Sequence, residues 1–224
     1  MRADKVKAVL VAAVATALLS AVMPASAAVS GGRLHAEGLP LRDAVAALPV
    51  ADEHRQGYDR LREFGTWIDA DKDGCNTRKE VLIEEAVEAP VVGPGCSLTG
   101  GRWYSYYDDA YETGGLDIDH LVPLAEAWDS GAYAWTKAER VAYANDLADP
   151  VHLVAVTAKY NRQKADKDVA DWLPPYEPAR CRYITEWTHI KMRYHLSVDA
   201  REKAVLTDYA DACPNVPVST DPPR

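Results

Sequence analysis

Past residue 23 the chain has no apolar run long enough to cross a bilayer. No internal repeat is visible, which excludes a solenoid or a propeller. Nor is there a surplus of basic residues: 25 Lys and Arg stand against 34 Asp and Glu, for a formal net charge of −9. An acidic chain is not steered to a polyanion by its overall field, so any contact with nucleic acid has to be local. Cysteine is sparse, with Cys75, Cys96, Cys181 and Cys213 as the whole set.

What is present begins with a leader. Arg2, Lys5 and Lys7 precede AVLVAAVATALLSAVM at 8–23, and PASA at 24–27 ends in small residues. This is the pattern of a secretory signal peptide cleaved after Ala27, and the run is short for a membrane anchor. The expectation is a secreted monomer with no membrane attachment after cleavage. Losing Arg2, Lys5, Lys7 and Asp4 makes the remainder more acidic still. An even cysteine count in an exported chain implies two disulfides. Three pairings are possible, and proximity in sequence favours Cys75–Cys96 with Cys181–Cys213.

The rest is long enough for one sizeable core. Residues 28–50 read as a flexible entry, 51–213 as one domain, and 214–224 as a loose Pro-rich tail. A helix is expected around 53–66 and an amphipathic stretch at 79–88. GGRWYSYYDD at 100–109 alternates aromatic and polar residues, as a strand or hairpin does. Pro123 suits the first turn of a helix that Gly131 stops. Thr136 and Glu139 have capping-box spacing, which predicts a helix from there to about Leu147. HLVAV at 152–156 reads as a strand, and Thr157 can cap a helix over AKYNRQKADKD. Two more helices are expected near 179–194 and 199–211.

Residues 116–124, LDIDHLVPL, raise the functional question, because two aspartates and a histidine interrupt an apolar run. Asp119 can supply a hard anionic oxygen, and Asn161, one turn into its helix, a carbonyl oxygen. Hard oxygens with open positions suit Mg²⁺, which keeps waters and binds phosphate. His120 titrates near neutrality and suits a general base acting on water. Asp117 reads as a solvated strand residue. Arg162, Lys164 and Lys167 surround Asn161. Asn161 and Lys164 share a helix face, so Lys164 is either a phosphate contact or part of an ordinary solvated face.

LDIDHLVPLAEAWDSGAYAW, RVAYANDL and HLVAVTAKYNRQKADKDVADWLPP together resemble the secreted bacterial branch of the HNH (ββα-metal, His-Me finger) endonucleases. The resemblance extends to YDRLREFGTWID, GCNTRKEVL, GCSLTGGRWYSYYDD and CRYITEW. It implies an α+β protein whose ββα-metal core is embedded in additional helices. It makes His120 the general base, Asp119 a metal ligand and Asn145 the residue that ties down the histidine-bearing loop. Asn161 would stand at the last motif position, where many members carry a metal-binding histidine. That change favours Mg²⁺ or Mn²⁺ over Zn²⁺. Arg78, in GCNTRKEVL, is either a phosphate clamp or a structural salt-bridge residue. The implied activity is hydrolysis of DNA, with RNA left open as a second substrate, to products carrying 5′ phosphates.

A second motif competes. DADKDGCNTRKE at 69–80 fits a calcium-loop pattern, with Asp69, Asp71, Asp73 and Glu80 at ligand positions and Gly74 at the turn. Asn76 stands where such loops place an aliphatic residue, and Cys75 is expected in a disulfide. An accessory Ca²⁺ site is therefore a secondary expectation. Two rival functions remain at this point: a secreted calcium-dependent binding module, and a metal-dependent hydrolase of another ester.

Overall fold

The computed structural model describes residues 38–219; the expected leader lies outside them. In chain order the first elements are β1 (Leu39–Pro40), α1 (Leu41–Ala47), α2 (Arg60–Phe64), α3 (Thr77–Glu84), β2 (Ala86–Glu88) and β3 (Val91–Gly93). Next come β4 (Ser97–Thr99), β5 (Arg102–Ser105), β6 (Ala110–Glu112), β7 (Leu116–His120), α4 (Leu124–Asp129) and α5 (Lys137–Ala144). The last are β8 (Leu153–Thr157), α6 (Ala158–Lys164), α7 (Arg180–Arg193), α8 (Ala200–Ala212) and β9 (Pro217–Val218). Helices and short antiparallel strands are mixed, and the class is α+β. Cys75–Cys96 and Cys181–Cys213 are the two disulfides, with Cα atoms 5.1 and 5.5 Å apart.

The described parts of both end segments correct the sequence expectation, while residues 28–37 and 220–224 lie outside the described range. The entry at 28–50 is not loose over its second half, because α1 buries Leu41, Ala44 and Val45 on one helical face. Nor is the Pro-rich end wholly loose: β9 pairs with β1, and Val218 is 1% exposed. Burial of those few side chains against α7 and α8 outweighs the weak local propensity of both segments. The expected helix at 53–66 shrinks to α2, because Asp59 caps it by accepting from the backbone N–H of Arg62. Helix α6 stops at Lys164 instead of reaching Asp168, since Ala165 takes a positive φ of 53°. The side chain of Thr157 does not cap α6; its hydroxyl donates to Asp108 instead. The predicted capping box of α5 is formed by Thr136 and Glu139.

Two apolar cores meet at the antiparallel β7–β8 pair. Leu116, Ile118, Leu153 and Ala155 pack with Val81, Leu82 and Trp103 in a small core under α3. Val154 and Val156 face the large core, which α1, α4, α5, α7 and α8 enclose. Every residue of β8 is buried, as a strand covered on both faces requires. The pair and the helix that follows it make a β–β–α unit, with α4 and α5 inserted between its strands.

Candidate active site

The β7–β8 register sets Asp119 opposite Val154 and His120 opposite Leu153. Alternation along β7 then sends His120 to the small-core face with Leu116 and Ile118, and Asp117 and Asp119 to the face that meets α6. At the end of the strand both His120 and Asp119 reach one polar cleft of about 330 Å³. Asn161 and Arg162 of α6 border it from one side, Tyr58 and Arg60 from another. A slightly larger cavity of about 360 Å³ lies between α5 and the end of α7, but it touches none of these residues.

His120 is held on two sides. Its Nε2 lies 2.9 Å from the carbonyl oxygen of Ala144, which can only accept, so Nε2 carries the proton and donates. Nδ1 then bears the free lone pair, and none of the described residues bonds to it. The ring stacks on Trp67, with centroids 5.1 Å apart and planes 4° from parallel. Burial pulls the pKa of His120 well below its ordinary value, and neighbouring His152 acts in the same direction. The imidazole is therefore neutral at neutral pH, the form a base requires.

Asn145 sits at the end of α5, one residue after the Ala144 carbonyl. Its Oδ1 accepts from the backbone N–H of Ile68 at 3.0 Å and from the Thr77 hydroxyl at 2.8 Å. Its Nδ2 donates to the Val141 carbonyl at 3.0 Å. So it fastens the segment that carries Trp67. Its reach to His120 is indirect, through the stacked indole and the adjoining carbonyl.

The largest departure from expectation is Lys164. It is 0% exposed, and its Nζ lies 2.8 and 2.7 Å from the two carboxylate oxygens of Asp119 and 2.9 Å from the His120 carbonyl. It cannot contact a substrate phosphate from there. The helix face shared by Asn161 and Lys164 divides: the shorter side chain stays at the cleft and the longer one turns inward. Tyr107 also donates to Asp119, at 2.5 Å. Burial pushes the Asp119 carboxyl up and the Lys164 ammonium down, and each group offsets the other's cost.

This arrangement bears directly on the expected cation. Asp119 and Asn161 line one cleft, but both oxygens of Asp119 are already hydrogen-bonded, while the Asn161 amide donates to Asp117 at 3.3 Å. As arranged, the Asp119–Asn161 pair does not fit Mg²⁺ or Mn²⁺. Arg78 is also corrected. Its guanidinium donates to the Leu116 carbonyl at 3.0 Å, so it anchors the far end of β7 and does not border the cleft. Arg162 does border it, is 75% exposed, and pairs loosely with Asp117 at 3.4 Å. In the 69–80 loop, Asp69, Asp71 and Asp73 bring oxygens within 4.8 Å of one another, and Glu80 stands outside that group.

Three site residues escaped the sequence: Trp67, Arg60 and Tyr107. Their partners lie far along the chain, and no local spacing links an indole at 67 to an imidazole at 120. A basic residue at the start of a short helix, as in YDRLREF, was the available signal for Arg60.

The fold and site define an α+β protein whose β–β–α unit presents a neutral histidine to a polar cleft. The family described as GmrSD restriction endonucleases, C-terminal domain, matches residues 93–209, and the chain belongs to that nuclease family. The chain is also 41% identical over 161 residues to a fungal protein of Arthroderma benhamiae described as an uncharacterized secreted protein. That match covers 71% of this chain and 77% of the relative. A fungal relative does not carry the bacterial restriction that the sequence resemblance implied. No solved structure matches the chain. Among the described residues no helix is long and apolar enough to cross a membrane.

Proposed function

We propose that this chain is a secreted HNH-type endonuclease that hydrolyses phosphodiester bonds of DNA with little sequence specificity. The observation that carries the reading is the state of His120: Nε2 donates to Ala144, so a neutral ring offers Nδ1 beside the cleft. Water bound there gives its proton to Nδ1 as its oxygen bonds to phosphorus. The bond from phosphorus to the 3′ oxygen breaks, and the departing oxygen takes a proton from solvent. The products are a 5′ phosphate and a 3′ hydroxyl. Export is supported by the leader pattern, the two disulfides and the description of the fungal relative.

The test is degradation of plasmid DNA and of RNA by the mature protein, with and without chelator, beside His120→Ala. Loss of a general base lowers the rate by about 10²–10⁴-fold. Near-normal cleavage by His120→Ala would overturn the mechanism. Cleavage that survives chelation would rest on the protein's own groups. Cleavage that chelation stops and Mg²⁺ restores would require Lys164 to leave Asp119 in the working enzyme.

A further inference from the structure

Among the described residues, Arg60 is the one charged side chain that borders both cavities flanking the His120 ring. It lines the 330 Å³ cleft with Asp119, Asn161 and Arg162. It also lines a smaller cavity of about 140 Å³ with Gly65, Trp67 and Ala144. It is the first residue of α2, which Asp59 caps.

The other cations nearby are committed. Arg55 is tied to Asp129 at 2.5 Å and to Asp166 at 2.8 Å, and Lys164 is buried against Asp119. Arg162 is partly offset by Asp117. Arg60 is exposed and makes no hydrogen bond or ion pair among the described residues. Its charge reaches both Asp119 and His120, on which it acts electrostatically.

We propose that Arg60 binds the phosphate that is cut, its guanidinium gripping the non-bridging oxygens while His120 Nδ1 faces the attacking water. This rests on the nuclease reading and adds a residue to it. The chemistry fits the position. A guanidinium stays charged at every working pH and offers two parallel N–H donors to a phosphate. In a chain of net charge −9, one free arginine at the cleft supplies attraction that the overall field does not. It would also oppose the negative charge that grows on phosphorus during attack.

The experiment compares wild type, Arg60→Gln, Arg60→Lys and Lys137→Gln, the last an exposed cation outside the cleft. Steady-state cleavage of a labelled DNA duplex gives kcat/KM. Binding is measured by anisotropy over a KCl series, with each substitution also made in the His120→Ala background so that no DNA is consumed. Arg60→Gln should lower kcat/KM by about 10²-fold or more. The slope of log affinity against log salt should shrink by about one contact. Arg60→Lys should keep most of the slope but only part of the rate, because a point charge lacks the fork. Lys137→Gln should match wild type in both. Should wild type cut DNA and His120→Ala fail, while Arg60→Gln matches wild type in slope and rate, the Arg60 assignment alone is wrong. A wild type that neither binds nor cuts DNA overturns the nuclease reading, and Arg60 falls with it.

Discussion

The indole of Trp67 lies flat on the imidazole of His120, 5.1 Å away and 4° from parallel. The segment carrying Trp67 is fixed by Asn145, through the N–H of Ile68, and by Thr77, whose backbone N–H donates to the Ile68 carbonyl. Orientation of the His120 ring is thus set by residues that do not line the 330 Å³ cleft. An aromatic pair of this kind contributes about 0.5–1.5 kcal/mol. Trp67→Ala should therefore slow turnover by roughly 3–10-fold, with KM little changed, and Trp67→Phe should recover much of it. Kinetics of the two variants, with the ¹⁵N shifts of His120 as a readout of its tautomer, make the check. An unchanged turnover number in Trp67→Ala would show that the stack does not position the ring.

The Asp119–Lys164 pair makes a stability prediction. Removing one partner of a buried ion pair strands the other charge, at about 3–5 kcal/mol. Lys164→Met should show that loss in urea unfolding. Asp119→Asn combined with Lys164→Met should lose distinctly less, since an amide can still accept from Tyr107. A single-variant cost below about 1 kcal/mol would mean that the two groups are not paired in the native protein.

His189 should make stability fall on the alkaline side. Its Nδ1 faces the Ser219 carbonyl at 2.8 Å and its Nε2 the Asp149 carboxylate at 2.5 Å. Both partners only accept, so both nitrogens must donate and the ring must be charged. Burial opposes that charge, but the hydrogen bond and charge of Asp149 outweigh it and raise the pKa above its ordinary value. A raised folded-state pKa gives stability that is complete below about pH 6.5 and lost as pH rises through the folded value. Melting of wild type and His189→Gln from pH 5.5 to 9 should show a gap that narrows with pH. A gap that stays constant would mean that the ring is not charged.

Glu85 carries the opposite kind of group. It is largely buried, accepts from the Ala155 N–H at 2.5 Å, and burial raises its pKa to about 7. A carboxyl with a raised folded-state pKa favours the folded state at low pH, and that advantage is lost as pH climbs from its unfolded value through about 7. Glu85→Gln keeps an acceptor for Ala155 without the charge. It should be close to neutral at pH 5 and stabilising at pH 8.5, by up to roughly 3 kcal/mol. Denaturant curves at the two pH values decide it; equal effects at both would remove the titration.

The sequence by itself determined the features that depend on neighbours along the chain. The alternation of LDIDH, the buried run LVAVT, the capping box at Thr136 and Glu139, and the proximity of the cysteines were all readable, because strand period, helix capping and loop closure act over a few to a few tens of residues. Pairing of β7 with β8, across the inserted helices, is what brings His120 and Asn161 to one cleft. Tertiary structure alone decided which groups Asp119, Lys164, Trp67 and Arg60 face. Lys164 could have pointed to solvent on a free helix. Only packing of α6 against β7 put its ammonium between Asp119 and the His120 carbonyl, and a charge so enclosed must take the partner at hand. Arg60 lies outside that contact and so keeps its charge at the mouth of the cleft.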